Sequence, residues 1–307
     1  MKKMRILVTG GAGYKGTKLV SALAGEVYNV TILDNFMYGY EPVLHLVQNK
    51  NINMVKGDVR NGIENLSQYD AVFHLAGISG YPACEANQSS AEQINVQATR
   101  KIVDALSKEQ IFINASTTSF YGKSGAKCTE ITPIDPVSMY GITKYLAEKI
   151  VQERENSISL RFATVFGPSP RMRMDLMVND FTYKAKKERV LILFDSYAVR
   201  TFIHIDDAVE CYLFSLHNYD SMKGQIFNAG GNGLNFSKKD IADAIAHYVD
   251  YKIIDSELKD KDVRHFIIDY NKIHSLGFSP KKSLNDGIEE LIKLFSFYEY
   301  YTHYKTI

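Results

Sequence analysis

Short apolar runs alternate with longer amphipathic stretches through the first half of the chain. Arg5–Thr9, Asn29–Leu33, Ile52–Lys56, Ala71–Leu75, Ile111–Ala115 and Ile158–Phe162 read as strands. Ala71–Leu75 and Ile111–Ala115 are apolar at nearly every position, the pattern of strands covered on both faces. Ala91–Leu106 and Ser138–Glu155 carry the clearest helical patterns between these runs. Strand, helix, strand in this order predicts an α/β fold, a doubly wound parallel sheet with helices on both faces. Beyond Gly167 the rhythm loosens. Met174–Lys187 reads as a helix, Val190–Phe194 as a strand, and Asp206–Leu216, Lys238–Val249 and Leu284–Tyr298 as further helices. A smaller C-terminal α/β lobe is therefore expected. Residues 1–167, with about 200–225, are assigned to the sheet domain, and 168–199 with 226–307 to the lobe.

The first strand runs straight into Gly10-Gly11-Ala12-Gly13-Tyr14-Lys15-Gly16. Glycines at Gly10, Gly13 and Gly16 let the chain turn sharply, bring backbone N–H groups near a pyrophosphate, and let the next helix pack closely. That helix turns its N-terminus toward the phosphate charge. Many tight turns hold a glycine cluster. This one lies between a strand and a helix in the first βα unit, which makes it a dinucleotide-binding (Rossmann) loop, with Tyr14 and Lys15 beside the cofactor. Asp34 ends the second strand, with Asn35 next to it. An acid there accepts hydrogen bonds from a ribose diol and repels a 2′-phosphate, so NAD is expected rather than NADP. Asp58 and Val59 follow the third strand and could flank the adenine edge.

Three further features line up downstream. The fourth strand ends in His74-Leu75-Ala76-Gly77, and the fifth leads to Ser116-Thr117-Thr118-Ser119-Phe120-Tyr121-Gly122. Tyr140 and Lys144 then sit four apart, on one face of a helix. A phenol, with a pKa near ~10, is a poor base at neutral pH. A nearby ammonium and a cationic nicotinamide ring favour the phenolate, which turns a tyrosine into a general base. A YxxxK spacing alone would be an ordinary amphipathic helix. Joined to the glycine loop and the hydroxyl-rich strand end, it points to chemistry.

With these residues the chain resembles the extended short-chain dehydrogenase/reductases, specifically the nucleotide-sugar epimerases and dehydratases. The resemblance runs through Gly10–Gly16, Asp34, Leu75-Ala76-Gly77, Asn95-Val96, Tyr140/Lys144, Leu160–Pro168, Arg200–Asp207, Phe227–Gly231, Asp262-Val263-Arg264 and Leu276–Pro280. It implies NAD as cofactor, with Leu75, Ala76, Gly77 and Ser116 among its contacts. It implies a nucleotide-diphosphate sugar as substrate. The family pattern, counted back from Gly122, makes Thr117 the hydroxyl that bonds the reacting sugar oxygen. Tyr140 would take the C4 hydroxyl proton while hydride leaves C4, and Lys144 would hold the ribose and stabilise the phenolate. Arg200 and Arg264 match positions that bind the diphosphate. Arg171, Asn179, Ser79 and Tyr81 are expected at the substrate, Arg173 being a second candidate in the basic loop after Gly167. Thr164 stands where many relatives have an Asn that touches phosphate. His204 is expected in the core or at a hinge.

Family 4,6-dehydratases carry an acid pair, or Ser-Glu, after the catalytic Thr. Here those positions are Thr118 and Ser119, neither a competent acid or base, which argues against elimination of water. C4 epimerisation is expected first. C4 oxidation with release of the keto sugar is the alternative. A keto-sugar reductase and a non-catalytic NAD-binding protein rank lower.

Hydrophobic residues make up 45% and charged residues 23%, with a formal net charge of +1, so bulk electrostatics call for neither nucleic acid nor membrane. Cys84, Cys128 and Cys211 have no paired spacing and form no metal motif. Ile6-Leu7-Val8 is too short for a signal-peptide core, and the expected location is the cytoplasm. The resemblance implies a homodimer, with the long helices at Ala91–Leu106 and Ser138–Glu155 as its interface, although their composition equally suits packing on the sheet. The aromatic tail (Phe297, Tyr298, Tyr300, Tyr301, Tyr304) suggests core packing or subunit contact.

Overall fold

The computed structural model describes residues 3–258 and 264–300; Asp262, Val263, Tyr301 and Tyr304 lie outside them. In chain order the strands are β1 Arg5–Thr9, β2 Asn29–Asp34, β3 Ile52–Lys56, β4 Ala71–His74, β5 Ile111–Thr117, β6 Lys123–Cys128 and β7 Ser157–Phe162. They continue with β8 Thr164–Phe166, β9 Val190–Phe194, β10 Val199–His204, β11 Gln225–Ala229, β12 Asn235–Ser237, β13 Lys252–Ser256 and β14 His265–Ile268. The helices that shape the site are α1 Tyr14–Gly25, α2 Tyr81–Ala86, α3 Gln88–Glu92, α4 Ala98–Ala105, α5 Met139–Gln152, α6 Met177–Tyr183 and α7 Ile205–His217.

Seven strands form one parallel sheet in the order β11-β7-β5-β4-β1-β2-β3. Successive residues of a strand face opposite sides, so both faces need apolar cover. Ile6 and Val8 of β1 pack with Leu19, Leu23 and Val209 from α1 and α7. Leu7 packs on the other side with Val72, Phe112, Ile102 and Val151. The strand order reverses between β1 and β4, and beyond the carboxyl ends of such a pair lies the crevice where ligands bind in this architecture.

The doubly wound sheet stands as expected, with several differences in detail. β11 adds a seventh strand, so Ile226–Ala229 belong to the large sheet and not to the lobe. This strand is short and carries Asn228 among its apolar residues, which hid it in the pattern. Arg200–His204 form most of β10, which pairs with β8 and β12 in a separate three-stranded sheet rather than joining the large one. The helix expected over Ala91–Leu106 begins earlier and passes through a π-turn at Gln93–Gln97 between α3 and α4. Such a turn widens the helix locally and is common at functional sites. Met174–Lys187 becomes helical only at Met177.

The lobe has its own core of Phe166, Met172, Val178, Phe202, Ile241, Leu291 and Phe295, against which Tyr298 and Tyr300 pack. Two capping boxes begin its helices at Lys238–Ala246 and Leu284–Phe295, through Ser237/Asp240 and Ser283/Asp286.

Candidate active site

One cleft of about 540 Å³ opens where β1 and β4 part. Its walls include Gly10, Gly13, Tyr14, Lys15 and Gly16 from the loop, Leu75 and Gly77 after β4, Ser116 and Thr117 from β5, and Tyr140 and Lys144 from α5. Ser79, Tyr81, Arg171, Arg200 and Arg264 also line it, as do Tyr38, Phe162 and Arg173. Residues scattered over most of the chain thus meet at one place.

At the loop end the geometry suits a dinucleotide. Gly10 has φ +70°, and a Cβ there would lie 2.7 Å from the backbone N of Ala76. A Cβ on Gly16 would lie 2.2 Å from the Gly10 carbonyl oxygen. Only glycine fits either position. The N-cap residue of α1, Gly13, supplies no side-chain hydrogen bond, and no acid occupies the first turn. The N-terminal N–H groups of α1 therefore meet the cleft without a capping side chain, a donor set that fits a pyrophosphate. Asp34 accepts from the backbone N–H groups of Ala12 (3.0 Å) and Phe36 (2.9 Å), which fixes the carboxylate beside the loop. Burial pushes its pKa up, against the lowering effect of those hydrogen bonds.

Asn35, Asp58, Val59 and Ala76 lie off the cleft wall. Asp58 is engaged by Arg60, at 2.6 Å. Asn35 accepts from the N–H of Met37.

The catalytic face is set by α5. Ser138 caps it by accepting from the N–H of Gly141 at 3.2 Å, and Glu85 of α2 accepts from the N–H of Met139 at 3.0 Å. Tyr140 and Lys144 then sit one turn apart on the cleft side. Burial lowers the Lys144 ammonium to about 8, partly offset by Glu148 one turn further on. Glu148 is itself fully buried. It accepts from Ser116 Oγ (2.6 Å) and from Arg161 Nη2 (2.7 Å). Arg161 Nη1 donates to the Tyr121 hydroxyl oxygen at 2.6 Å, and the Tyr121 O–H donates to Asn228 at 2.8 Å. This buried chain ties β5, α5, β7 and β11 together under the site. Thr117 Oγ1 accepts from the N–H of Ser119 at 3.1 Å, while Thr118 turns inward and donates to the Phe162 carbonyl at 3.2 Å.

At the lobe end, Arg173 donates to Ser79 Oγ at 3.1 Å and pairs with Asp175, joining the loop after β4 to the loop after β8. Arg173 lies within electrostatic reach of Tyr140. Arg171 is buried, with its guanidinium 3.9 Å from the Tyr38 ring centroid and within electrostatic reach of Asp34. It thus lies toward the cofactor side of the cleft. Asn179 departs from expectation. It is fully buried, accepts from the Gly167 N–H (3.0 Å), and donates to Tyr14 Oη (3.3 Å) and the Arg173 carbonyl (2.9 Å). It holds the loop and is not free to meet a ligand. Tyr38 sits in no motif that would mark it in the sequence, and Phe162, inside the Leu160–Pro168 stretch, carries no signal there of a place in the cleft. His204 is fully buried between Asp206 and Glu290.

The model of the NAD dependent epimerase/dehydratase family matches residues 6–230. The chain belongs to that family. It is an NAD-dependent enzyme of the extended short-chain dehydrogenase/reductase type. An uncharacterized UDP-glucose epimerase of Bacillus subtilis is 30% identical over 249 residues, covering 74% of this chain and 77% of that protein. A putative UDP-glucose 4-epimerase of Methanocaldococcus jannaschii is 28% identical over 304 residues, 94% of this chain and 97% of its own. Among solved structures, the UDP-glucuronic acid 4-epimerase of Bacillus cereus, in complex with UDP-glucuronic acid and NAD, aligns with a TM-score of 0.83. It is 26% identical, covering 95% of this chain and 99% of that one. This kinship supports nucleotide-sugar 4-epimerase chemistry with NAD.

Proposed function

We propose that this epimerase-family enzyme inverts C4 of a nucleotide-diphosphate sugar. The observation that carries the reading is the meeting of Tyr140, Lys144 and Thr117 with the glycine loop in one cleft, with no acid beside Thr117. The carboxylates that do line the cleft, Asp175 and Asp180, are paired with Arg173 and with Lys184 at 2.8 Å. They are poorly placed to serve as the acid and base of a dehydratase.

NAD, when bound, would supply the acceptor for the C4 hydrogen. Gly10, Gly13, Tyr14 and Gly16 would hold its pyrophosphate and Asp34 its adenosine ribose, with Lys15 beside the cofactor. Tyr140 takes the proton from the C4 hydroxyl, and Lys144 favours the phenolate by its charge. Thr117 donates to the C4 oxygen as it becomes a carbonyl. Arg200 and Arg264 grip the diphosphate while the keto sugar turns its other face, after which Tyr140 returns the proton.

The same reading places the enzyme in the cytoplasm, in the supply of sugars for surface polysaccharide. No helix among the described residues is long and apolar enough to cross a membrane. It acts as a homodimer through α5, where Ile142 and Leu146 are 41% and 44% exposed. Residues 1–167 with about 200–225 are read as the NAD-binding part, extended by β11, and the remainder as the sugar lobe.

The test incubates purified protein with a panel of nucleotide sugars and follows stereochemistry and absorbance together. A C4 epimer without lasting NADH absorbance is expected. Accumulated NADH with a free keto sugar would identify a 4-dehydrogenase. A Tyr140→Phe variant should lose about 10²–10⁴-fold in turnover while still binding NAD. Undiminished turnover in that variant would reject the mechanism.

A further inference from the structure

We propose that Lys15 biases the bound dinucleotide toward its reduced form: its ammonium stands without a counter-ion where the reacting ring must come. The inference rests on the cleft holding a nicotinamide dinucleotide beside Tyr140.

Lys15 is the one basic side chain of the glycine loop and the second residue of α1. Its Nζ lies 4.2 Å from the Phe162 ring centroid and 5.6 Å from that of Tyr212. Among the described residues it has neither a hydrogen bond nor an ion pair. Titratable groups reach it from three sides. Lys144 comes from α5, Arg173 from the loop after β8, and Cys211 from α7. Tyr140 lines the same cleft. Burial keeps the Cys211 thiol and the Tyr212 phenol neutral. Lys15 is thus surrounded by cations and π faces, and its ammonium is pushed down to about 7, chiefly by burial, then by Lys144 and Arg173.

The proton leaves the C4 hydroxyl oxygen and the hydride leaves C4 itself, one bond apart, so the ring that takes the hydride must approach Tyr140. Lys15 and Lys144 line the same cleft, and Lys144 lies within electrostatic reach of Lys15. The oxidised ring carries a positive charge and the reduced ring none, while the pyrophosphate charge is the same in both. A protonated Lys15 therefore penalises the oxidised form alone. The sign follows. Below about pH 7 the ammonium is present and NADH is favoured; above it the charge is lost and NAD⁺ affinity recovers. Lys144, at about 8, adds a weaker dependence at higher pH. In the proposed epimerase this bias eases oxidation of the sugar and slows its return, so the keto species lives longest in mild acid.

The test measures dissociation constants for NAD⁺ and NADH by calorimetry from about pH 6 to about pH 8.5, with no sugar present, for wild type, Lys15→Met and Lys15→Arg. A unit charge about 6 Å away, at an effective dielectric constant of about 20, predicts a preference for NADH up to about a hundredfold larger at the acid end in wild type. The Met variant should lose most of that slope, and the Arg variant should keep the acid-end preference at every pH. Identical NADH-to-NAD⁺ ratios in wild type and Lys15→Met across the range would overturn the proposal. So would equal loss of both forms in the variants, which would make Lys15 an anchor of the pyrophosphate. Because no turnover is measured, a failed epimerase reading leaves this result intact, whereas wild-type protein binding neither form would sink the cofactor reading itself.

Discussion

Replacing Glu148 by Gln tests the platform under the site. Its side chain is 1% exposed and that of its partner Arg161 is 4% exposed. The carboxylate accepts from Arg161 Nε at 3.1 Å, from Nη2 at 2.7 Å and from Ser116 Oγ at 2.6 Å. A glutamine removes the charge, and its amide nitrogen must face either a guanidinium or a hydroxyl that now donates to the carboxylate. Breaking a buried pair by losing one partner costs about 3–5 kcal/mol, mostly the penalty of the charge left behind. The same substitution removes the acid that raises Lys144, so that ammonium falls below about 8. A lysine is charged below its pKa; lowering the pKa therefore moves the alkaline loss of activity to lower pH. Urea unfolding reads the first effect, and a kcat–pH profile reads the second. A stability loss under about 1 kcal/mol, together with an unmoved alkaline limb, would refute the reasoning.

Gly16→Ala sets a Cβ against the Gly10 carbonyl at 2.2 Å, and no flexible side chain is there to yield. About 1–3 kcal/mol of stability and at least tenfold in NAD affinity should be lost, by denaturation and by calorimetry; an unaltered affinity would count against the loop reading. His74 is buried between Thr9 and Thr99 and its imidazole is lowered to about 3. The unfolded chain takes up that proton near pH 6.5 and the folded one does not, so its stability is present above 6.5 and is lost on acidification toward 3. From neutral pH to pH 5 this residue alone should remove about 2 kcal/mol, read from urea midpoints, and His74→Gln should flatten the slope. Ile142→Glu with Leu146→Glu should turn a dimer into a monomer in sedimentation; a monomeric wild type would end the dimer proposal.

The large sheet was legible because its strands are uniformly apolar between turn signals, and the glycine loop because its spacing has a backbone cause. Tyr140 and Lys144 were legible as a spacing whose meaning came from its company. Other features depend on tertiary contacts that leave no local trace. β11 is five residues with a polar Asn228, recognisable only once β7 offers an edge. Asn179 shows the opposite failure, a polar residue near the right loop whose acceptor and one donor are spent on backbone and whose other donor is spent on the Tyr14 hydroxyl. Arg171 illustrates a third, since no one-dimensional pattern says that its guanidinium lies over Tyr38.

The last strand of the main sheet comes from residues 225–229, after the chain has already visited the lobe. Asn228, in that strand, is the far end of the hydrogen-bond relay that begins at Glu148. During synthesis, then, the floor beneath the catalytic lysine is unfinished until Ala229 has left the ribosome. A fragment ending at residue 220 would keep the glycine loop and the tyrosine yet leave β7 as a bare margin, open to pairing with other chains.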